Sequence, residues 1–358
     1  MTSKSALDKM VPTMAAKVAF LSSAKAYTGV DFVEVRETRM AWVFLAGERV
    51  FKFKKPIHHQ HLDYTTLAER LRICKQEVRL NKRLAADVYL GLAKLTIETD
   101  ATLAINGSGR VIEWLVEMQR LPEGLFLDNA IRAGTVDRAA IIAIADRLAE
   151  FFNSAPPVHV EPDSHISAYN FELTHNRNVF LEWRFNSVRG RGLDIVSQLE
   201  GVLKDAPGIV LDRLTAGHIV DGHGDLRPEH VHLSDPPIII DCLEFRSELR
   251  MLDPFEELSY LSMECAVLGA PWIGPILIDR CSAKLGTPPT RHQLAFYTAY
   301  RAALRARQAL AHLLIPNPRT PEKWIPLAKA YLDEAEKAMI TFFPPAMPPT
   351  IHSDEGHL

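Results

Sequence analysis

HIVDGHGDLRPEHVHLSDPPIIIDCLEF, residues 218–245, is the stretch on which the fold turns. It carries His223, Gly224 and Asp225 in a loop, and Asp241 sixteen residues beyond Asp225, directly after the apolar run Ile238-Ile239-Ile240. A loop carboxylate followed by a short strand that ends in a second carboxylate is the pattern to explain. This strand-rich block, 218–245, sits inside a region that otherwise reads as helical. Residues 134–153 form an amphipathic helix closed by Pro156 and Pro157, and 165–217 read as helices with loops. Helices return from Pro254 to Leu314 and again from Glu322 to Phe342. Within 165–217, RGRG at 189–192 reads as a basic surface loop.

Upstream the pattern is different. FVEVRE, AWVFLAG and ERVFKFKKP, between Phe32 and Pro56, read as three strands, with a hairpin turn at Gly47-Glu48. Period-two alternation puts Val50, Lys52 and Lys54 on one face and Phe51 and Phe53 on the other. Thr65–Ala86 reads as a helix whose inward residues are Leu67, Leu71, Cys74 and Val78. Strand-like segments follow to Ile105, then the turn NGSG at 106–109 and the apolar strand VIEWLVEM. The expected organisation is α+β: a small strand-rich N-terminal lobe over 15–118 and a larger helical C-terminal lobe over 119–342, with a ligand cleft between them. Residues 1–14 and the Pro-rich tail 343–358 are expected to be disordered.

Composition sets limits. The chain has 358 residues, 47% hydrophobic and 24% charged, with a net charge of −3, which suits a soluble globular protein and offers no basic excess for nucleic acid. The longest uncharged apolar stretch, Cys265–Ile278, contains Pro271 and Pro275 and falls short of the roughly 20 residues that span a bilayer. No signal peptide is evident at the N-terminus. The four cysteines (Cys74, Cys242, Cys265, Cys281) form no CxxC pair, which fits free thiols in a reducing cytoplasm.

Phosphoryl transfer needs one carboxylate to orient the attacking hydroxyl, a second to hold a metal at the phosphates, and a lysine to grip them. The spacing of Asp225 and Asp241 supplies the two carboxylates. Six segments in order, ETRMAWVFL, VFKFKKP, LDYTTL, KQEVRLNKRLAADVYL, MQRLP and DGHGDLRPEHV…DCLEF, resemble the aminoglycoside-phosphotransferase-like family of kinase-fold enzymes, in its uncharacterised branch. The resemblance covers about residues 15–315. It implies a bilobal protein-kinase-like fold, ATP with Mg²⁺ or Mn²⁺ as cofactors, and a small-molecule hydroxyl as acceptor. By the same resemblance Asp225 is the catalytic base and Asp241 the metal-binding carboxylate. Lys52 is the first choice for the phosphate-binding lysine, with Lys54 the alternative, and Glu77 its ion-pair partner. Val116, Glu117 and Met118 would present backbone groups to adenine, and Asp253 matches a structural aspartate.

Three departures stand out. The family's metal-binding asparagine is His230 here. Imidazole suits softer ions better than Mg²⁺. Either His230 is a modified metal ligand, or Asp241 carries the ion with help from Glu244, or transfer is impaired. No glycine-rich loop precedes Trp42, where ETRMA replaces side-chain donors. Arg227 stands where relatives often have histidine, and could meet an anionic substrate or a phosphate. Beside the kinase stand a nucleotide-binding pseudokinase and AMP transfer in place of phosphoryl transfer. A metal-dependent hydrolase built on His218, His223, His230, His232, Asp225 and Asp241 lacks a recognised ligand spacing. Acidic residues of the helical lobe would suit a cationic acceptor, but the arginines between 184 and 191 do not, so the acceptor stays open. Oligomeric state has no signature in the sequence.

Overall fold

The computed structural model describes residues 12–59 and 62–343. The disorder expected for 1–14 and 343–358 falls, but for Pro12, Thr13, Met14 and Phe343, outside the described residues. The chain forms two compact units. One comprises Met1–Ala155 with Asp221–Met251, the other Pro156–Val220 with Leu252–Leu358.

The first unit is built on an antiparallel six-stranded sheet. Its strands are β1 (Val33–Glu37), β2 (Ala41–Ala46), β3 (Arg49–Lys54), β4 (Tyr89–Ile97), β5 (Leu103–Ile105) and β6 (Arg110–Gln119), in the spatial order β1-β2-β3-β6-β4-β5. Gly47, at φ 60°, makes the tight β2–β3 hairpin that the sequence signalled. Both faces of the sheet are covered. On one, Phe44, Phe51, Phe53, Leu95 and Leu115 pack with Leu21 of α1 (Met14–Leu21). On the other, Leu45, Val50, Val88, Tyr89 and Val116 pack with Cys74 of α2 (Leu67–Asn81). Each such buried Leu or Phe contributes about 2 kcal/mol of transfer free energy.

Helix α2 begins at Thr66, whose hydroxyl accepts from the Glu69 amide at 3.2 Å. Its buried face runs through Arg70, Ile73, Cys74, Glu77, Leu80 and Asn81 rather than the expected Leu67, Leu71, Cys74 and Val78. An apolar count misses this face because half of it is polar and buried against partners. Arg70 forms two bonds to Glu113 of β6, Nε to Oε1 at 2.8 Å and a terminal nitrogen to Oε2 at 2.9 Å. Lys17 of α1 reaches the same carboxylate at 3.0 Å.

After the sheet come α3 (Leu127–Ala133) and α4 (Arg138–Ser154), still in the first unit. The segment 221–251 then adds a short hairpin, β7 (Val231–His232) with β8 (Ile238–Ile239), on the same unit. Arg83, just past α2, holds it by donating to the carbonyls of Asp221 at 2.7 Å and Gly222 at 2.8 Å.

The second unit is helical: α5 (Pro162–Phe180), α6 (Asn186–Asp205), α7 (Gly208–Thr215), α8 (Pro254–Val267), α9 (Ile273–Leu285), α10 (Arg291–Ala311) and α11 (Pro321–Met339). The basic loop expected at 189–192 is instead part of α6. Gly192 lies against the Phe180 ring, which an added Cβ would meet at 2.6 Å, and Arg191 pairs with Asp333 and Glu336 of α11. Of the two glycines that suggested a loop, Gly192 is a close-packing position and Gly190 faces open space. Asp253 caps α8 through the Phe255 amide at 2.9 Å and takes bonds from Arg213 at 2.6 Å and Tyr297 at 3.0 Å. Among the described residues no helix is long and apolar enough to cross a membrane. All four cysteines are buried free thiols.

Candidate active site

Strand β3 aims Lys52 and Lys54 at α2, because residues two apart share a face. Glu77, fully buried on α2, lies between them: Oε1 is 2.8 Å from the Lys52 ammonium and Oε2 is 2.6 Å from that of Lys54. The lysines diverge at their other contacts. Lys52 donates to Asp241 Oδ1 at 2.6 Å, and Lys54 to Glu244 Oε1 at 2.5 Å. The five groups form an alternating chain, Asp241–Lys52–Glu77–Lys54–Glu244, that ties β3 and α2 to the segment after β8.

Alternation of charge sets the protonation states. Burial works against the Lys52 cation, but Asp241 and Glu77 outweigh it and hold the ammonium well above its ordinary range. Burial also opposes the charge on Lys54, which Glu244 and Glu77 push upward. For Glu77, desolvation favours the neutral acid, and the two lysines overcome it to hold the carboxyl below its usual value. Desolvation also opposes the charge on Asp241, which is only partly buried at 40% side-chain exposure, yet Lys52 and His230 hold it well below the carboxylate range. All four are therefore charged at neutral pH.

Asp241 adopts φ 62°, a left-handed backbone that costs a non-glycine residue roughly 1–2 kcal/mol. Three bonds hold it there. Its amide donates to the Tyr89 hydroxyl at 3.2 Å, the Cys242 amide donates to Asn81 Oδ1 at 2.8 Å, and Lys52 grips the carboxylate. Backbone strain held by surrounding structure is a mark of a functional position.

The Asp225 loop is fixed from beneath by His223. Its Nε2–H donates to the Ile240 carbonyl at 2.9 Å, and its Nδ1 accepts from the Asp225 amide at 3.3 Å, a pattern only the neutral ring satisfies. Burial and the neighbouring His230 lower its pKa to about 4. Gly224, at φ 84°, has no room for a side chain: an added Cβ would meet Arg250 Cγ at 2.9 Å and Leu243 Cβ at 3.2 Å. The Asp225 carboxylate lies 3.0 Å from Arg227, which also pairs with Glu229 at 2.7 Å. His230 Nδ1–H donates to the Asp225 carbonyl at 2.8 Å. In the neutral ring that bond makes Nε2 the lone-pair nitrogen, 3.6 Å from Asp241 Oδ2 and 3.3 Å from the Arg227 guanidinium.

These groups border a cavity of about 690 Å³ within the first unit, large enough for a nucleotide-sized ligand. Lys52, Lys54, Met118, Asp225, His230, Asp241 and Glu244 all line it. Val116 and Glu117 do not. They sit mid-strand in β6, paired with Lys52 and Phe51 of β3 and with Leu92 and Gly91 of β4, so the sheet uses that backbone. The wall beyond Met118 is formed by Gln119, Arg120 and Leu121. Sequence reasoning gave no role to Tyr89, Asn81 or Arg83, which position the two acidic segments. All three fall in the quoted segment KQEVRLNKRLAADVYL, and a polar Asn81 beside apolar Leu80 at the end of an amphipathic helix was the available signal.

Among the described residues no group of three or more His, Cys, Asp or Glu is disposed to hold a metal ion. What the cavity offers is a pair, Asp241 Oδ2 and His230 Nε2. That suits a cation whose shell is completed by phosphate oxygens and water, not one caged by protein.

No protein-family model matches the chain. Uncharacterised proteins of Mycobacterium tuberculosis and Mycobacterium bovis are 32% identical over 286 residues, which is 78% of this chain and 55% of theirs. The chain thus spans about half the length of the curated relatives it matches. Among solved structures, it is similar to a choline/ethanolamine kinase family protein from Mesorhizobium loti (TM-score 0.51, 14% identity, 95% of each chain). A choline kinase from Cryptosporidium parvum is similar at TM-score 0.52 and 10% identity, over 91% of this chain and 96% of that one. An ethanolamine kinase from Plasmodium vivax gives TM-score 0.50 and 10% identity, over 95% and 94%. At these identities the likeness speaks to architecture, and the chain has the α+β, protein-kinase-like fold that the order of its motifs implied.

Proposed function

We propose that this chain is an ATP-dependent phosphotransferase acting on a hydroxyl group of a small molecule. The observation that carries the reading is the bridge by which Lys52 joins Glu77 of α2 to Asp241 after β8. A lysine held charged between two carboxylates, at the wall of a nucleotide-sized cavity, is placed to grip phosphates. Lys54, 2% exposed, is the buried strut that fixes Glu77 and Glu244. Asp225 orients the acceptor hydroxyl and receives its proton. Asp241 and the Nε2 lone pair of His230 would hold a divalent cation, which when bound neutralises charge on the phosphates. Met118–Leu121 faces the adenine. The six ordered motifs support placing the chain in the aminoglycoside-phosphotransferase-like branch, and the names of its structural neighbours favour an alcohol acceptor.

The test is incubation with γ-labelled ATP, Mg²⁺ or Mn²⁺ and a panel of hydroxyl compounds, with mass analysis of the products. Transfer of a phosphoryl group to an alcohol, lost in Asp225→Asn, is the expected result. A product carrying AMP would contradict phosphoryl transfer. One observation favours a second reading, a nucleotide-binding module without turnover: Arg227 is latched onto the candidate base, beside a histidine where the metal-binding asparagine would stand. ATP-induced stabilisation with no product from any acceptor, in either metal, would select it.

A further inference from the structure

In kinases with a glycine-rich loop, a turn between strands covers the phosphates, and its open backbone lets main-chain amides approach them. Three amides of the β1–β2 turn of this chain, those of Thr38, Met40 and Ala41, are spent within the turn itself. The Thr38 hydroxyl oxygen accepts from the amides of Ala41 at 2.9 Å and Met40 at 3.3 Å. The Thr38 amide in turn donates to the Ala41 carbonyl at 2.8 Å. Lys55, the nearest lysine, is also committed, to Glu37 at 2.5 Å and to the Thr38 carbonyl at 2.7 Å.

Arg39 remains. It is exposed at the tip of this turn, and it lines the same cavity as Lys52, Asp225 and Asp241. Among the described residues its guanidinium has no ion pair and no hydrogen bond. The other arginines of that cavity are engaged: Arg36 with Glu34 and Glu123, Arg120 with Glu34, and Arg227 with Asp225 and Glu229. An uncommitted guanidinium at the rim of a site whose inner wall holds a phosphate-gripping lysine is complementary to a polyanion, and its planar fork can take two phosphate oxygens at once.

We propose that Arg39 binds the polyphosphate of the nucleotide, supplying through a side chain the contact that a glycine-rich turn makes through its backbone. This role rests on the nucleotide reading of the cavity. It makes phosphate binding in this chain a matter of charge, and so more sensitive to salt than an amide cradle.

Calorimetric titration of the full chain with ATP and, separately, with adenosine tests it, using wild type, Arg39→Ala and Arg39→Lys. Arg39→Ala should bind ATP about tenfold more weakly, the loss expected for one hydrogen-bonded charge contact, with adenosine affinity unchanged. Arg39→Lys should recover part of the loss, and the salt dependence of ATP binding should be shallower in Arg39→Ala than in wild type. Unchanged ATP affinity in Arg39→Ala, or equal losses for ATP and adenosine, would overturn the role while leaving the nucleotide reading intact. A wild-type chain that does not bind ATP would overturn both.

Discussion

Two lysines one repeat apart on β3 share a glutamate and part at their far ends, one on Asp241 and the other on Glu244. The alternation of β3 is plain in the sequence, but which lysine faces the open cavity depends on where the segment after β8 returns, and no local pattern encodes that. The two substitutions should separate. Lys52→Met should keep the fold and lower turnover by at least about a hundredfold, read as kcat in the transfer assay. Lys54→Met leaves Glu244 without its cation and Glu77 with Lys52 alone, and should destabilise the chain by about 3 kcal/mol in urea unfolding. His223 belongs to the same scale. Its folded pKa of about 4 lies below the ordinary value near 6.5, so an unfolded chain takes up a proton that the folded one refuses. Stability should therefore be flat above about pH 7 and fall as pH drops from about 6.5 to 4, by up to roughly 3 kcal/mol. His223→Asn should remove that slope, seen as the difference between wild-type and variant unfolding curves across the window.

Among elements, α2 shows most clearly what a sequence does and does not disclose. A helix beginning near Thr65 followed from periodicity, although it ends at Asn81 and not at the expected Ala86. Its buried face did not, because Arg70 and Glu77 are buried by virtue of partners far along the chain, at Glu113 and at Lys52 and Lys54. Gly192 of α6 misled for a related reason: a glycine that loosens an isolated helix is what lets Phe180 approach this one. The Lys17–Glu113–Arg70 cluster joins α1, α2 and β6 with an oxygen pair that is fully buried. Removing that carboxylate strands two cations. Glu113→Ala should thus cost about 3–5 kcal/mol and lower the thermal midpoint, while Glu34→Ala, which affects exposed pairs, should cost under about 1 kcal/mol. Equal effects in differential scanning calorimetry would contradict the distinction.

On the scale of the whole molecule, the chain passes from the first unit to the second, back through Asp221–Met251, and out again from Leu252. The six motifs were legible because they lie in order along the sequence, but this interleaving is not. It brings Asp225 and Asp241 onto the same unit as Lys52, some 170 to 190 residues upstream. A fragment ending at Ala155 lacks both carboxylates and the partners of Asn81 and Arg83. It should bind no ATP and unfold more readily than the full chain, as measured by calorimetry and by urea titration. The central claim is that Lys52 and Asp241 together receive a metal–nucleotide complex. Titration of wild type and Asp241→Asn with ATP, each with and without Mn²⁺, tests it most directly. Metal should strengthen ATP binding to wild type by at least about tenfold and leave the variant unaffected. ATP affinity that is absent, or equally metal-independent in both proteins, would contradict the account.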